Sequence, residues 1–219
     1  MATVVETLKR TLEPEQRIVI RDVGWDGYEA LLKIIGDGYP RLAFDGKDVE
    51  LTSPSLDHDR FKRKLGRLVE TLTLELDIPC EALGSTTWRL KLKEKGLEPD
   101  ECYYIANSPT AIGRQIDLNV DPPPDLAIEI EISRSILDRL EIYASLGFPE
   151  IWRFDGETLR VETLQPDRTY ETVDFSPALP FLPLEEVVNW LEKGENIGQT
   201  PWLRAFARWV RTEIAPKLS

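Results

Sequence analysis

Apolar residues recur at three- and four-residue steps from position 57 to 77, where Phe61, Leu65, Leu68, Val69, Leu72 and Leu76 form one stripe. That spacing predicts a long helix with a single buried face, and Ser55 or Asp57 is placed to cap its start. Weaker helical patterns fall near 25–35, closed by Gly36-Asp37-Gly38, and near 136–146, closed by Gly147 as the residue after the last turn. Two more lie near 184–193 and 201–214. Period-two alternation predicts strands near 40–44, 49–52, 85–93, 100–106, 125–132, 150–154, 158–163 and 169–174. Asp45-Gly46 between the first two is a hairpin signal, because both positions tolerate positive φ. The mixture of strands and helices predicts an α/β chain of the mixed-sheet, α+β kind with helices laid on the sheet. Residues 1–24 read as a loosely attached N-terminal arm, in which Pro14 separates a weak helical stretch from the β-like Arg17-Ile18-Val19-Ile20, 25–180 as the main domain and 181–219 as a C-terminal helical appendage. The last helix places Trp202, Phe206, Trp209 and Val210 on one face, which suits packing on the domain or on the partner of a homodimer.

The stretch with chemical content begins at Pro122-Pro123-Pro124, which bars a helix, and continues as Asp125-Leu126-Ala127-Ile128-Glu129-Ile130-Glu131-Ile132. On a strand, Leu126, Ile128, Ile130 and Ile132 share one face, while Asp125, Ala127, Glu129 and Glu131 share the other. With a rise of about 3.3 Å per residue, the Cα atoms of Glu129 and Glu131 stand roughly 6.6 Å apart, near enough for both carboxylates to reach one hard cation. A second acid opens the preceding strand in Glu98-Pro99-Asp100. If the two strands are neighbours, Asp100 and Glu129 converge. The same acids would be unremarkable on a solvated sheet face.

Composition narrows the options. The chain is 42% hydrophobic and 30% charged, as expected for a folded globular protein, and no run of 18 apolar residues offers a membrane span. The first residues lack the basic start and apolar run of a signal peptide, so a cytoplasmic protein is expected. Cys80, Cys102 and the single His58 are too few for a cysteine/histidine zinc site, and the two cysteines are expected to be unbridged core residues. A net charge of -12 argues against passive coating of DNA but leaves room for an enzyme with a local basic wall. Lys62, Arg63, Arg67, Arg89 and Lys91 are the candidates for that wall.

Several phrases together carry a resemblance. They are Val49-Glu50-Leu51-Thr52-Ser53-Pro54-Ser55 with Asp57-His58, Gly84-Ser85-Thr86-Thr87-Trp88-Arg89, Glu98-Pro99-Asp100, Pro123-Pro124-Asp125-Leu126-Ala127-Ile128-Glu129, and Asp138-Arg139-Leu140-Glu141-Ile142-Tyr143 running to Gly147-Phe148-Pro149-Glu150-Ile151-Trp152. The order resembles the PD-(D/E)XK restriction-endonuclease-like superfamily, and within it a family of small restriction endonucleases long carried as a domain of unknown function. The resemblance covers roughly residues 25–175. It implies a restriction-endonuclease-like core, a Mg²⁺ or Mn²⁺ cofactor and nucleic acid, DNA first, as the partner. Asp100 takes the place of the motif's aspartate and Glu129 of its second acid. Where the motif has lysine, this chain has Glu131. Arg139, on the following helix, is the basic residue that could reach the site, its other option being a surface pair with Asp138 or Glu141. Glu50 is a further candidate metal ligand and His58, Asp125 and Lys91 are second-line site residues.

Two functions follow. The first is a metal-dependent nuclease in which Asp100, Glu129 and Glu131 hold the ion and Arg139 or Lys91 lies near the phosphate. The second, favoured by the missing lysine and the acidic net charge, is a catalytically impaired dimeric binding or regulatory module. A hydrolase of another kind lacks any activated serine or cysteine signature.

Overall fold

A computed structural model describes residues 11–36, 38–106 and 116–218. The first ten residues of the arm and Asp37 of the helix-ending phrase lie outside the described residues. Two sheets make up the framework. The first has the order β1 (Gln16–Ile20), β3 (Val49–Ser53), β2 (Arg41–Phe44), β6 (Lys95–Leu97), β5 (Trp88–Leu90), with every described pairing antiparallel. The second runs β11 (Tyr170–Val173), β10 (Leu159–Leu164), β9 (Glu150–Phe154), β8 (Leu126–Ile130), β7 (Glu101–Tyr104), β4 (Glu81–Ala82). In it only β8 and β9 are parallel, and the crossover between them carries α3 (Arg139–Leu146), as a parallel pair requires.

Helix α2 (Leu56–Glu75) is the one the apolar stripe predicts, and Ser55 caps it by accepting the His58 N–H at 3.2 Å. Its stripe meets Leu126, Ile128 and Ile130 of β8 in the main core, so one face of β8 is buried as alternation demands. The other face of the second sheet, with Cys102, Tyr104, Ala127 and Ile151, packs with Ile142, Tyr143 and Leu146 of α3 in a second cluster. Gly147 ends α3 at φ 87°, with its N–H on the Tyr143 carbonyl at 2.8 Å, and Asp138 caps the other end. A third cluster joins α1 (Gly24–Ile35) to the first sheet through Tyr28, Leu42, Phe44 and Val49.

The structure departs from the sequence expectation in two places. The predicted strand 85–93 breaks after Leu90: residues 91–93 form one 3₁₀ turn, Glu94 turns the chain at φ 48°, and β6 returns antiparallel to β5. Leu92, which completed the alternation, is 85% exposed. Nothing in Lys93-Glu94-Lys95 signals a turn, but Gly96 is required on the return because any side chain there would collide with the Tyr28 ring. The arm is the second. Residues 16–20 pair along the whole of β3, and the segment before them is tied to α2 by Ser55 Oγ donating to Glu13 O at 2.7 Å. Helices α4 (Leu184–Asn196) and α5 (Gln199–Trp209) take the first of the two packings the sequence allowed. Trp202, Phe206 and Val210 are at most 1% exposed, inside the chain's own main core beside Trp190. Both cysteines are free thiols, and no described helix is long and apolar enough to cross a membrane.

Candidate active site

Strands β7 and β8 are antiparallel neighbours, with Glu101 opposite Ile128 and Cys102 opposite Ala127. Asp100, one residue before β7, grips β8 on both sides of Glu129. Its N–H donates to Ile128 O at 3.1 Å, and its Oδ2 accepts from Ile130 N at 2.7 Å. Both acids are buried and line one small pocket at the junction of the two sheets with the first turns of α2 and α3.

Cations surround the pair. Asp100 Oδ1 accepts from Arg41 of β2 and from His58 Nε2 at 2.8 Å. Glu129 Oε1 accepts from Arg139 and from the Tyr143 hydroxyl, one turn apart on α3. Arg139 Nη2 also donates to Glu98 O at 3.2 Å. Buried carboxylates of like charge should be hard to ionise, and the two respond differently. Burial pushes both up. At Asp100, the His58 contact and Arg41 outweigh burial and hold the carboxyl far below its ordinary range. At Glu129, burial, reinforced by the negative Asp100, outweighs Arg139, so its carboxyl is raised. His58 is also burdened by burial, but Asp100 and Glu15 outweigh that and lift its pKa to about 9. Two buried guanidinium nitrogens in the same cluster, Arg41 Nη2 and Arg139 Nε, have no hydrogen-bond partner among the described residues.

The remaining sequence candidates are placed elsewhere. Glu131 lies just beyond β8 and binds Arg153 of β9 at 2.6 Å. It faces a neighbouring hollow, with Arg139 standing between that hollow and the pocket. Glu50 is fully buried. Its carboxylate accepts from Arg17 at 2.8 Å, Ser135 Oγ at 2.8 Å and Ile136 N at 2.6 Å, so it anchors the turn into α3. Burial pushes its carboxyl up, and these donors overcome that and lower it. Asp125 accepts from Ile105 N and Ala106 N at 2.7 and 2.9 Å, which holds the end of β7. Lys91 and Arg89 line a separate depression with Trp25 and Glu29. Arg63 and Arg67 face a groove between α2 and the turn joining α4 to α5. Lys62 is 3.8 Å from Glu101. The positive wall of the pocket is therefore Arg17, Arg41, His58 and Arg139 rather than the five residues expected from the sequence.

Arg17, Glu15 and Arg41 were not apparent from the sequence. Glu15 accepts from His58 Nδ1 at 3.0 Å and from Ser133 N at 2.7 Å, so the chain before β1 closes the cluster from one side. The visible signals were two arginines at the starts of β-like stretches and an acid just before one of them, which by themselves do not say where they point.

In their chemistry the donors suit a hard divalent cation. Asp100 and Glu129 offer carboxylate oxygens, and Glu129 Oε2 accepts no hydrogen bond from any described residue. Mg²⁺ commonly takes one or two carboxylates, with water and substrate oxygens completing its shell. Among the described residues no group of three or more His, Cys, Asp or Glu is gathered for a metal, so the protein share would be this pair.

Known proteins give a consistent picture. The profile of Uma2, a family described as "Putative restriction endonuclease", matches residues 25–196. Among solved structures, a putative nuclease belonging to DUF820 from Anabaena variabilis superposes with a TM-score of 0.52 at 17% identity, covering 77% of this chain and 98% of that one. At that identity the likeness speaks for the restriction-endonuclease-like fold alone. No curated protein sequence matches.

Proposed function

The chain belongs to the Uma2 family, and from that premise we propose that it is a Mg²⁺- or Mn²⁺-dependent nuclease that hydrolyses phosphodiester bonds of DNA. The observation that carries this reading is the buried pair Asp100 and Glu129, set on adjacent strands and flanked by arginines. A divalent ion held by the two carboxylates would supply an activated water and would neutralise charge developing on the phosphoryl oxygens.

The chain's own groups divide the remaining work. Asp100, held ionised by His58 and Arg41, would be one ligand. Glu129, with one oxygen that accepts no hydrogen bond from a described residue, would be the other, and the proton of the attacking water would leave to solvent. Arg139 stays protonated, so it serves as a charge and hydrogen-bond donor to the phosphate and not as a base. It brings a cation to the pair from α3, where the motif's lysine would have come from position 131. Glu131 and Glu50, each already bound by its own partners, stand outside this assignment.

The test is cleavage of single- and double-stranded DNA and of RNA with Mg²⁺ or Mn²⁺, with chelator and Glu129→Gln as controls. Metal-dependent cleavage lost in the variant supports the reading, and absence of any cleavage by the wild type with Mn²⁺ defeats it. One observation favours a second reading, a binding module on the same fold. Both acids are already neutralised by arginines of the chain, and the pocket between them encloses only about 10 Å³.

A further inference from the structure

Beside the acid pocket lies an open cleft of about 420 Å³ whose wall includes Tyr39, Arg41, Ser85, Thr86, Thr87 and Glu98. Arg41 and Glu98 belong to both cavities, so the cleft begins where the pocket ends. Three observations give it chemistry. Tyr39 is 56% exposed although it is a large aromatic ring, and the Arg41 guanidinium lies over it at 5.5 Å, which fixes the ring against the site. Arg41 is only 6% exposed, its Nη1 is on Asp100, and its Nη2 is buried without a partner among the described residues. A buried guanidinium N–H left unpaired is costly, and a phosphate oxygen would satisfy it with favourable charge. Finally, Thr86 and Thr87 use their hydroxyl hydrogens within the chain, on Leu83 O at 2.7 Å and Glu98 Oε1 at 3.1 Å, which leaves oxygen acceptors facing a ligand.

We propose that this cleft seats one unpaired nucleotide next to the scissile bond. Its base stacks on Tyr39, its phosphate takes Arg41 Nη2, and its amino groups meet the threonine oxygens. The inference rests on the nuclease reading and deepens it, because a base can lie on Tyr39 only when it is not paired in a duplex. The substrate class is therefore single-stranded DNA, or DNA with a frayed or flipped end. The cleft's volume falls in the ordinary range for small-molecule sites, about 300–1,000 Å³.

Anisotropy of a short fluorescein-labelled single-stranded oligodeoxynucleotide, titrated with protein in chelator, measures binding apart from hydrolysis. Loss of one stacking contact lowers affinity about five- to a hundredfold. Tyr39→Ala should do so, Tyr39→Phe should bind like wild type, and Ser85→Trp, which fills the cleft from an exposed position, should weaken binding as Tyr39→Ala does. A blunt duplex should compete poorly. Wild-type binding left unchanged by both Tyr39→Ala and Ser85→Trp overturns the cleft while sparing the nuclease reading. A duplex that competes as well as the single strand also overturns it. Wild-type protein that neither binds nor cleaves any nucleic acid overturns both. Weakened binding in the variants of a protein that does not cleave keeps the cleft and removes the hydrolysis.

Discussion

Asp100 holds β8 from both sides of Glu129, taking the carbonyl of Ile128 with its N–H and the N–H of Ile130 with its side chain. Asp100 is thus fixed to the strand that carries Glu129, and the Glu129 side chain is held in turn by Arg139 and Tyr143. The mutual repulsion of the two acids has to be met by cations brought from outside the strands. Arg41, His58 and Arg139 provide them.

Removing one of those cations should expose the cost. In Arg139→Met, Glu129 loses its counter-charge in a buried position, and breaking such a pair typically costs about 3–5 kcal/mol. Urea denaturation should show that loss, and Glu129→Leu combined with Arg139→Met should recover much of it. Arg139→Met with unchanged stability would mean that Glu129 is protonated in the folded protein.

His58 is the only histidine of the chain, so one imidazole signal reports on the cluster. Its folded pKa of about 9 lies above the ordinary imidazole value of 6.5, because Asp100 and Glu15 outweigh burial. The stabilisation is fully present below about pH 6.5 and is lost as pH rises through 9. At about 1.4 kcal/mol per pH unit it amounts to about 3 kcal/mol. An NMR titration should place the imidazole near 9, and His58→Gln should flatten stability between pH 6.5 and 9. Titration of the ring near 6.5 would contradict the tight Glu15–His58–Asp100 contacts.

Ion binding can be read from stability alone. Mn²⁺ at a hundredfold excess over Kd should stabilise the wild type by about 2.7 kcal/mol. Asp100→Asn and Glu129→Gln should each abolish the rise in Tm relative to their own metal-free forms. The ion-free repulsion that such binding relieves lies between Asp100 and Glu129, because Glu131 is on Arg153 and Asp125 on the backbone of 105 and 106. Because its raised carboxyl makes ionised Glu129 a cost near neutral pH, Glu129→Gln without metal should be as stable as wild type or more so.

Trp202 is buried against Trp190 and Phe206, and its indole N–H donates to Trp190 O at 2.8 Å. Trp202→Ala should therefore cost about 3–5 kcal/mol. A loss that shrinks as protein is diluted would reveal a second copy at this surface, whereas the intramolecular packing predicts a concentration-independent one.

The sequence made the framework legible wherever one face of an element is buried. The α2 stripe, the alternation of β8 and the Gly147 stop each follow from a local period or a single required φ. Strand phase gave Glu129 its face, while Asp100 depended on the two strands being neighbours and Arg139 was reached only through the resemblance. The hairpin from β5 to β6 was hidden because Glu94, with no turn-forming chemistry of its own, adopts positive φ under tertiary constraint. Arg41, Arg17 and Glu15 were hidden because alternation assigns a face but not the partner across it. Their partners lie far along the chain. Glu131 shared the right phase, yet β8 ends at Ile130 and Arg153 on the adjacent strand draws its carboxylate aside.

The contact between Glu15 and Ser133 bridges 118 positions of chain. Contacts of such separation give nothing back until the intervening loop has been closed, so they form late and slow the approach to the native state. During synthesis the segment that carries Glu15 and Arg17 is the early one, and it waits unpartnered for the chain to reach Ser133, which follows Glu129 by only four residues. The acid pair and the serine that fastens Glu15 therefore become available together, and the electrostatic balance of the cluster is set by that one long-range closure and not by either strand alone.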